Sequence, residues 1–456
     1  MADWLEFLNR VVWGIPALIL ILGVGIFLSV RTDFAPFRLF PRACRLFAAH
    51  LRPRKRQSGG VSPFRALCTA LAATVGTGNL AGVAGAMALG GPGTVFWMWC
   101  CALVGMVTKY AEATLAVRYR VRQGSEFVSG PMYLISRGMG PKWQWLAKVY
   151  CFLGVVAAFG VGNATQINAV IGGMNQALSV FGRAESAAGN LLMGAGLSVL
   201  VFFLLRGGSG RIGAAAELLV PFASCAYLLF GSLVLIGRAD RIPGALARIV
   251  TGAFCPRAVT SGVLASAWQA LRIGVSRGVF TNEAGMGTAA IAHGSAAVRH
   301  PAEQGLMGMM EVFLDTVVIC TMTALVILCS GVPIPYGTDP GIALTGQAFA
   351  AVYGNAASPV LAAALCCFAF ATVLGWGYYG GRCVQYLFGP KAWPVFTAVQ
   401  AAVVLLGACL KTGLIWSLSE LFNGLMAIPN LLALAALSPE LTRLTRDYLQ
   451  KKETAG

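Results

Sequence analysis

Charge is scarce in this sequence, and acidic charge is scarcest. Of its 456 residues, 11% are Asp, Glu, Lys or Arg, against about 25% in soluble domains, which excludes a water-soluble globular fold. Seventeen acidic residues face 34 basic ones, for a net charge of +17. That excess does not indicate nucleic acid as a partner. There is no low-complexity basic tail and no interleaving of aromatic with basic residues; the arginines gather in particular loops, as the positive-inside rule describes. The three histidines, His50, His293 and His300, are too scattered for a metal cluster. The 13 cysteines contain no CxxC pair. Cys100, Cys101, Cys320, Cys329, Cys366 and Cys367 fall inside apolar runs, where a thiol packs as a small hydrophobe. Neither a zinc site, a disulfide framework nor a nucleophile or paired-carboxylate cluster is expected, so the chain reads as no enzyme. Period-two alternation is also lacking, which excludes a membrane β-barrel. No cleavable leader is expected: the run 11–30 is too long for a signal sequence and lacks a basic n-region.

Long apolar runs are what the chain has, and 57% of it is hydrophobic. A helix needs roughly 20 apolar residues to cross a bilayer, and runs of that length recur nearly throughout. The fold class is an all-α polytopic membrane protein of about eleven spans, near residues 12–30, 64–89, 94–117, 145–177, 191–205, 214–236, 262–297, 305–331, 359–388, 393–410 and 414–437. Segment 31–63 carries Arg31, Arg38, Arg42, Arg45, Arg52, Arg54, Lys55 and Arg56 against Asp33 alone. It is expected as a basic cytoplasmic loop, which puts the N-terminus outside and, after eleven spans, the tail 438–456 inside. The external loop 238–261 goes against the rule with Arg238, Arg241, Arg248 and Arg257, and reads as a surface amphipathic segment.

Two runs are interrupted. The stretch Ala72-Ala-Thr-Val-Gly-Thr-Gly-Asn79 puts Gly76 and Gly78 where a lipid-facing helix would carry Leu or Ile. A break there frees N–H and C=O groups at the midplane, tolerated only if protein buries them or they line a wet cavity. Gly78 and Gly82 also make a GxxxG pair, so a close helix contact is the competing reading. The second interruption lies in Gly274-Val-Ser-Arg-Gly-Val-Phe-Thr-Asn-Glu-Ala-Gly-Met-Gly287. Each interrupted helix opens a set of five, 64–237 and 262–437, with 1–30 as an extra N-terminal span. Five is odd, so the second set enters the membrane from the opposite side. That is the inverted repeat of secondary transporters, whose broken helices meet near the midplane.

Freed amides at Gly76, Thr77 and Gly78 suit a carboxylate, and carbonyls or side-chain oxygens around Phe280, Thr281 and Asn282 suit an ammonium. Gln166 reads either as a polar wall of the same pocket or as an interhelical hydrogen bond. Asn79 faces a cation or cargo, or else caps the break. Glu283 is expected to bond freed amides of its own break in a structural or gating role, with proton coupling as the alternative. Asp315 is a cation ligand or a carboxylate bonded to a neighbouring hydroxyl. Lys109 and Glu112 are expected to pair within their helix. Trp376 and Phe280 close the apolar side of a chamber kept small by glycines.

The motifs Thr74-Val-Gly-Thr-Gly-Asn-Leu-Ala-Gly-Val83, Leu89-Gly-Gly-Pro-Gly93, Phe96-Trp-Met-Trp99, Lys109-Tyr-Ala-Glu112, Gly130-Pro-Met-Tyr133, Phe280-Thr-Asn-Glu-Ala-Gly-Met-Gly287, Asp315-Thr316 and Phe370-Ala-Thr-Val-Leu-Gly-Trp376 together resemble the alanine or glycine:cation symporter family over about residues 15–440. The resemblance implies a leucine-transporter-type fold in a prokaryotic cytoplasmic membrane, carrying a small neutral amino acid, alanine or glycine, with Na+ (sometimes H+) and no cofactor. It also implies a sodium site from the carbonyls of Ala72 and Val75 and the hydroxyl of Thr372. The family often has a second hydroxyl beside that Thr, where this chain has Ala371. Rival readings are a channel, which would want rings of like ligands, and another cargo on the same fold.

Overall fold

A computed structural model describes residues 2–51, 60–124, 126–180, 182–254, 267–354, 357–410 and 413–453. Arg52, Arg54, Lys55 and Arg56 of the basic segment, Arg257, and the start of the seventh span at Gly262 lie outside the described residues. Among the described residues, eight helices are long and apolar enough to cross a membrane: Gly93–Tyr119, Pro141–Ser179, Ala187–Arg206, Gly208–Ile236, Pro301–Ser330, Pro359–Phe388, Pro390–Cys409 and Leu418–Ala436. They coincide with spans three to six and eight to eleven. Ile15–Arg31 is a shorter apolar helix at the position of span one.

Both interruptions are present. Span two is a bent pair, Pro63–Thr74 and Gly78–Gly90, turning by 54° between its halves. Val75 is extended there, at φ −78° and ψ 103°. Span seven is split into Ala267–Asn282 and Thr288–His293. Its connection has positive φ at Glu283, Gly285 and Gly287. At Gly287 glycine is demanded twice over, since a Cβ would also stand 2.3 Å from Pro131. Two further spans widen to π-helical turns, at Gly160–Ala164 in span four and Phe313–Cys320 in span eight. Such turns insert a residue into the ladder and often sit at functional sites.

Burial ranks the spans. Gly93–Tyr119 is mostly enclosed, whereas Ala187–Arg206 and Gly208–Ile236 are mostly open to their surroundings. Leu192, Leu218, Phe222 and Ile236 are exposed on these outer helices, as a lipid-facing surface would require.

Two segments differ from expectation, and a third gains detail. The all-α reading misses a small antiparallel hairpin, Val121–Gln123 with Glu126–Val128. The basic segment is not a plain loop: it includes the helix Phe40–His50, whose Phe40 meets Phe313 of span eight edge-on at 5.1 Å. Two of the arginines that break the charge rule, Arg241 and Arg248, have partners. In and beside the helix Ile242–Phe254, Arg241 Nη1 donates to the Cys329 carbonyl at 3.1 Å and Arg248 Nη2 to that of Leu328 at 2.8 Å. These are unpaired carbonyls at the C-terminal end of span eight, where cations are favoured.

Candidate functional site

The two breaks face each other. A Cβ on Gly78 would lie 3.6 Å from Thr281 Oγ1 and 3.8 Å from the Thr281 Cα, so the backbone of one interrupted helix rests against that of the other. Around this contact lies a tight cavity of about 20 Å³, room for roughly one water, lined by both breaks. Gly76, Thr77 and Gly78 form one wall and Phe280, Thr281 and Glu283 the other. Val161 and Gln166 of span four, Thr372 and Trp376 of span nine, and Asn423 of span eleven complete it.

Trp376 reaches the cavity because Gly162, in the π-helical turn of span four, leaves room: a Cβ there would stand 2.2 Å from the Trp376 Cβ. Its Nε1 donates to Glu283 Oε1 at 3.0 Å, and Thr288 Oγ1 donates to Glu283 Oε2 at 2.7 Å. Gln166 does both things weighed for it. It lines the cavity, and its Nε2 donates within its own span to the Val161 carbonyl at 3.1 Å while Thr77 Oγ1 approaches its Oε1 at 3.4 Å.

Asn79 and Asn282 stand one layer behind the wall, and neither lines the cavity. Each caps its own break. Asn79 Oδ1 accepts the Gly76 amide at 2.9 Å, and Asn282 Oδ1 accepts the Ala284 amide at 3.0 Å. The Gly76 amide is therefore already satisfied, leaving Thr77 and Gly78 as the wall positions from which a freed amide could reach an anion. The two caps converge on span eight. Asn79 Nδ2 donates to Asp315 Oδ1 at 2.7 Å, Thr316 Oγ1 to Asp315 Oδ2 at 2.8 Å, and Asn282 Nδ2 to Thr316 Oγ1 at 3.3 Å. Asp315 is fully buried as the hub of this bridge, within the π-helical turn Phe313–Cys320.

The expectations for Glu283, Lys109 and Glu112 need correction. Glu112 of span three, not Glu283, receives the freed amides of the second break. Its Oε1 accepts from Gly285 at 3.0 Å, Gly287 at 3.1 Å and Asn430 Nδ2 at 2.8 Å. Glu283 has left-handed backbone, φ 53°, which turns its side chain toward Trp376 instead. Lys109 does not pair with Glu112. Its Nζ donates to Glu311 Oε1 of span eight at 2.8 Å, and His293 Nε2 meets the other Glu311 oxygen at 2.9 Å, all three side chains being fully buried.

Beside the first break, Thr372 Oγ1 lies 3.5 Å from the Val75 carbonyl and donates to the Phe368 carbonyl at 3.0 Å. Ala72 and Val75 of that break are fully buried, and Ala371 packs in an apolar cluster. Glu112, Asn423 and Val161 were absent from the sequence-based site. Glu112 had a signal, a carboxylate within a 27-residue apolar helix; Val161 and Asn423 had none beyond lying in a span.

A model of the sodium:alanine symporter family matches residues 1–456. The chain is 40% identical over 463 residues to the sodium/alanine symporter AgcS of Methanococcus maripaludis, covering 98% of this chain and 97% of that one. It is 35% identical over 449 residues to a probable sodium/glutamine symporter, GlnT, of Bacillus subtilis, covering 98% and 90%. The crystal structure of MhsT in complex with L-phenylalanine is similar in fold, with a TM-score of 0.57 at 13% identity over 86% of this chain and all of that one.

Proposed function

We propose a function from one premise: this chain belongs to the sodium:alanine symporter family. It is a multi-pass membrane transporter of leucine-transporter-type fold and not an enzyme. We infer that its cargo is a small neutral amino acid, alanine or glycine, carried into the cell together with Na+ by alternating access. The observation that carries this reading is the Gly78–Thr281 contact, where the two breaks meet beside a cavity lined by Gln166, Glu283, Thr372 and Trp376.

In this proposal the cargo carboxylate meets the amides of Thr77 and Gly78, at the start of a half-helix whose dipole favours an anion. Gln166 and Thr77 hold that end. The ammonium lies toward Phe280, Thr281 and Glu283, and Trp376 with Phe280 limits side-chain size. Sodium, a hard cation, takes oxygens: the carbonyls of Ala72 and Val75 and the hydroxyl of Thr372. Asn79, Asn282 and Asp315 act as the brace that keeps both breaks open. The repeats 64–237 and 262–437, eleven spans in all, an external N-terminus and a cytoplasmic tail belong to the same proposal, as does the prokaryotic inner membrane as location. Uptake of labelled alanine into proteoliposomes, with sodium, pH and membrane potential varied separately, tests it. Accumulation driven by an inward sodium gradient is expected. Accumulation driven by protons alone, or none with any amino acid, would overturn the ion or the cargo.

A further inference from the structure

Asn423 lies in the helix Gly413–Ala436, which the sequence presents as packing alone. It lines the cavity together with Phe280, Thr281 and Glu283 and is 1% exposed. Its Oδ1 is buried and has no hydrogen-bond partner. A buried amide oxygen without a donor is costly and is found where something else supplies the donor.

The other polar side chains of the wall are engaged. Both Glu283 oxygens are taken, by Trp376 and Thr288. Thr281 Oγ1 donates to the Arg277 carbonyl at 2.7 Å, and Thr372 Oγ1 to that of Phe368 at 3.0 Å. Gln166 is held by Val161 and Thr77. Among the side-chain oxygens lining the cavity, Asn423 Oδ1 is the one that makes no hydrogen bond, and it shares the cavity with Glu283 of the second break. An α-amino acid brings three N–H donors and leaves an unmatched donor as costly as an unmatched acceptor.

We infer that Asn423 is a specificity-determining residue whose Oδ1 accepts an N–H of the cargo's α-ammonium. The inference rests on the proposed reading of the cavity as an amino-acid site. It makes the transporter selective for primary amines: an N-methylated amino acid has one donor fewer to share between Asn423 and the second break, and a methyl group in a tight cavity. The selection is exercised from the eleventh span, outside the two broken helices.

The test is uptake by the full-length protein in proteoliposomes, with alanine and N-methylalanine as paired probes. Asn423→Ala is expected to raise the alanine KM about tenfold with Vmax little changed, equivalent to about 1.4 kcal/mol. The wild-type preference for alanine over N-methylalanine should shrink by a similar factor in this variant. Asn423→Asp keeps an oxygen at the position and should restore or improve the alanine KM. An unchanged preference in Asn423→Ala would overturn the inference. So would a loss of serine and glutamine uptake with alanine unaffected, since that would set the oxygen against the cargo side chain. If Asn423→Ala does not fold, Asn423→Asp decides alone: weaker alanine uptake than wild type overturns the assignment. Wild-type protein that carries no amino acid would instead refute the reading of the cavity, and this inference with it.

Discussion

Asn79 Nδ2 donates to Asp315 Oδ1 at 2.7 Å across 236 residues of chain. That bond ties the first interruption to the eighth span, and Asn282 reaches the same point through Thr316 from the second interruption. Both breaks are thus capped from within and braced against one rigid neighbour. A pair of glycine-rich kinks becomes a fixed cleft because each Asn serves twice, once for a freed amide and once for the brace.

Gly76 and Gly78 should respond differently to alanine. A Cβ on Gly76 would stand 2.8 Å from Thr372 Oγ1, whereas one on Gly78 would make only ordinary contacts, the nearest at 3.6 Å. Gly76→Ala therefore pushes the hydroxyl off the Val75 carbonyl and should raise the sodium concentration for half-maximal uptake about tenfold, a cost of about 1.4 kcal/mol. Gly78→Ala should leave the sodium requirement nearly unchanged and weaken alanine instead. Sodium titrations of uptake for the two variants check this.

Thr372 is the one side-chain ligand in the proposed cation site. Thr372→Ala should weaken sodium about tenfold or more, since a hydrogen-bonding partner of a charged group contributes about 1.5–3 kcal/mol. Ala371→Ser, which adds the hydroxyl absent beside it, should shift the sodium dependence the other way if the new oxygen can turn from the apolar cluster toward the break. Sodium-dependent uptake across both variants gives the readout.

Lys109 and Glu311 form a buried pair at 2.8 Å. Removing one partner leaves a lone charge in a dry interior, at a cost of about 3–5 kcal/mol. Lys109→Met alone and Glu311→Leu alone should both lower the melting temperature in detergent sharply. The double variant should recover part of the loss, although His293 loses its partner as well. A double variant no more stable than the singles would show that His293, not Lys109, is the partner that matters.

Outside the spans, burial raises the carboxyl pKa of Glu126, but hydrogen bonds from Ser209 and Arg382 outweigh it and hold the group below its ordinary value of 4.5. Arg382 Nη2 lies 2.6 Å from Glu126 Oε2. A depressed carboxyl pKa adds stability above the unfolded value that is lost as pH falls through the folded one. Wild type should therefore be more stable than Glu126→Gln at neutral pH, by about 1 kcal/mol or less, since the Glu126 carboxylate is itself about half exposed. The difference should vanish in acid, below 4.5. Melting temperatures of both proteins across that range check it.

Much of the architecture is legible in the residues. Apolar runs announce the spans, and Gly76, Gly285 and Gly287 mark the breaks because no leucine-rich helix needs them. What the residues do not announce is rotation. Whether Glu112 or Glu283 answers the freed amides depends on which way each helix turns, and a positive φ at Glu283 settles that without leaving a compositional trace. The π-helical turns at Gly160–Ala164 and Phe313–Cys320 are equally silent, since one extra residue per turn changes no hydropathy. Asn79 and Asn282 were visible as polar residues in apolar surroundings. A cap was one of the readings open for Asn79; that Asn282 caps its break too, and that both stand behind the wall, emerges only from hydrogen-bond geometry.

Cargo and cation are proposed to share one cleft, with the first break supplying amides to one and carbonyls to the other, so each must tighten the other's binding by the same factor. Equilibrium binding of labelled alanine to the purified protein, titrated with sodium at constant ionic strength, measures that coupling directly. The account predicts that alanine affinity rises with sodium and that Thr372→Ala abolishes most of the rise. Alanine binding of equal strength in sodium and in choline would contradict it.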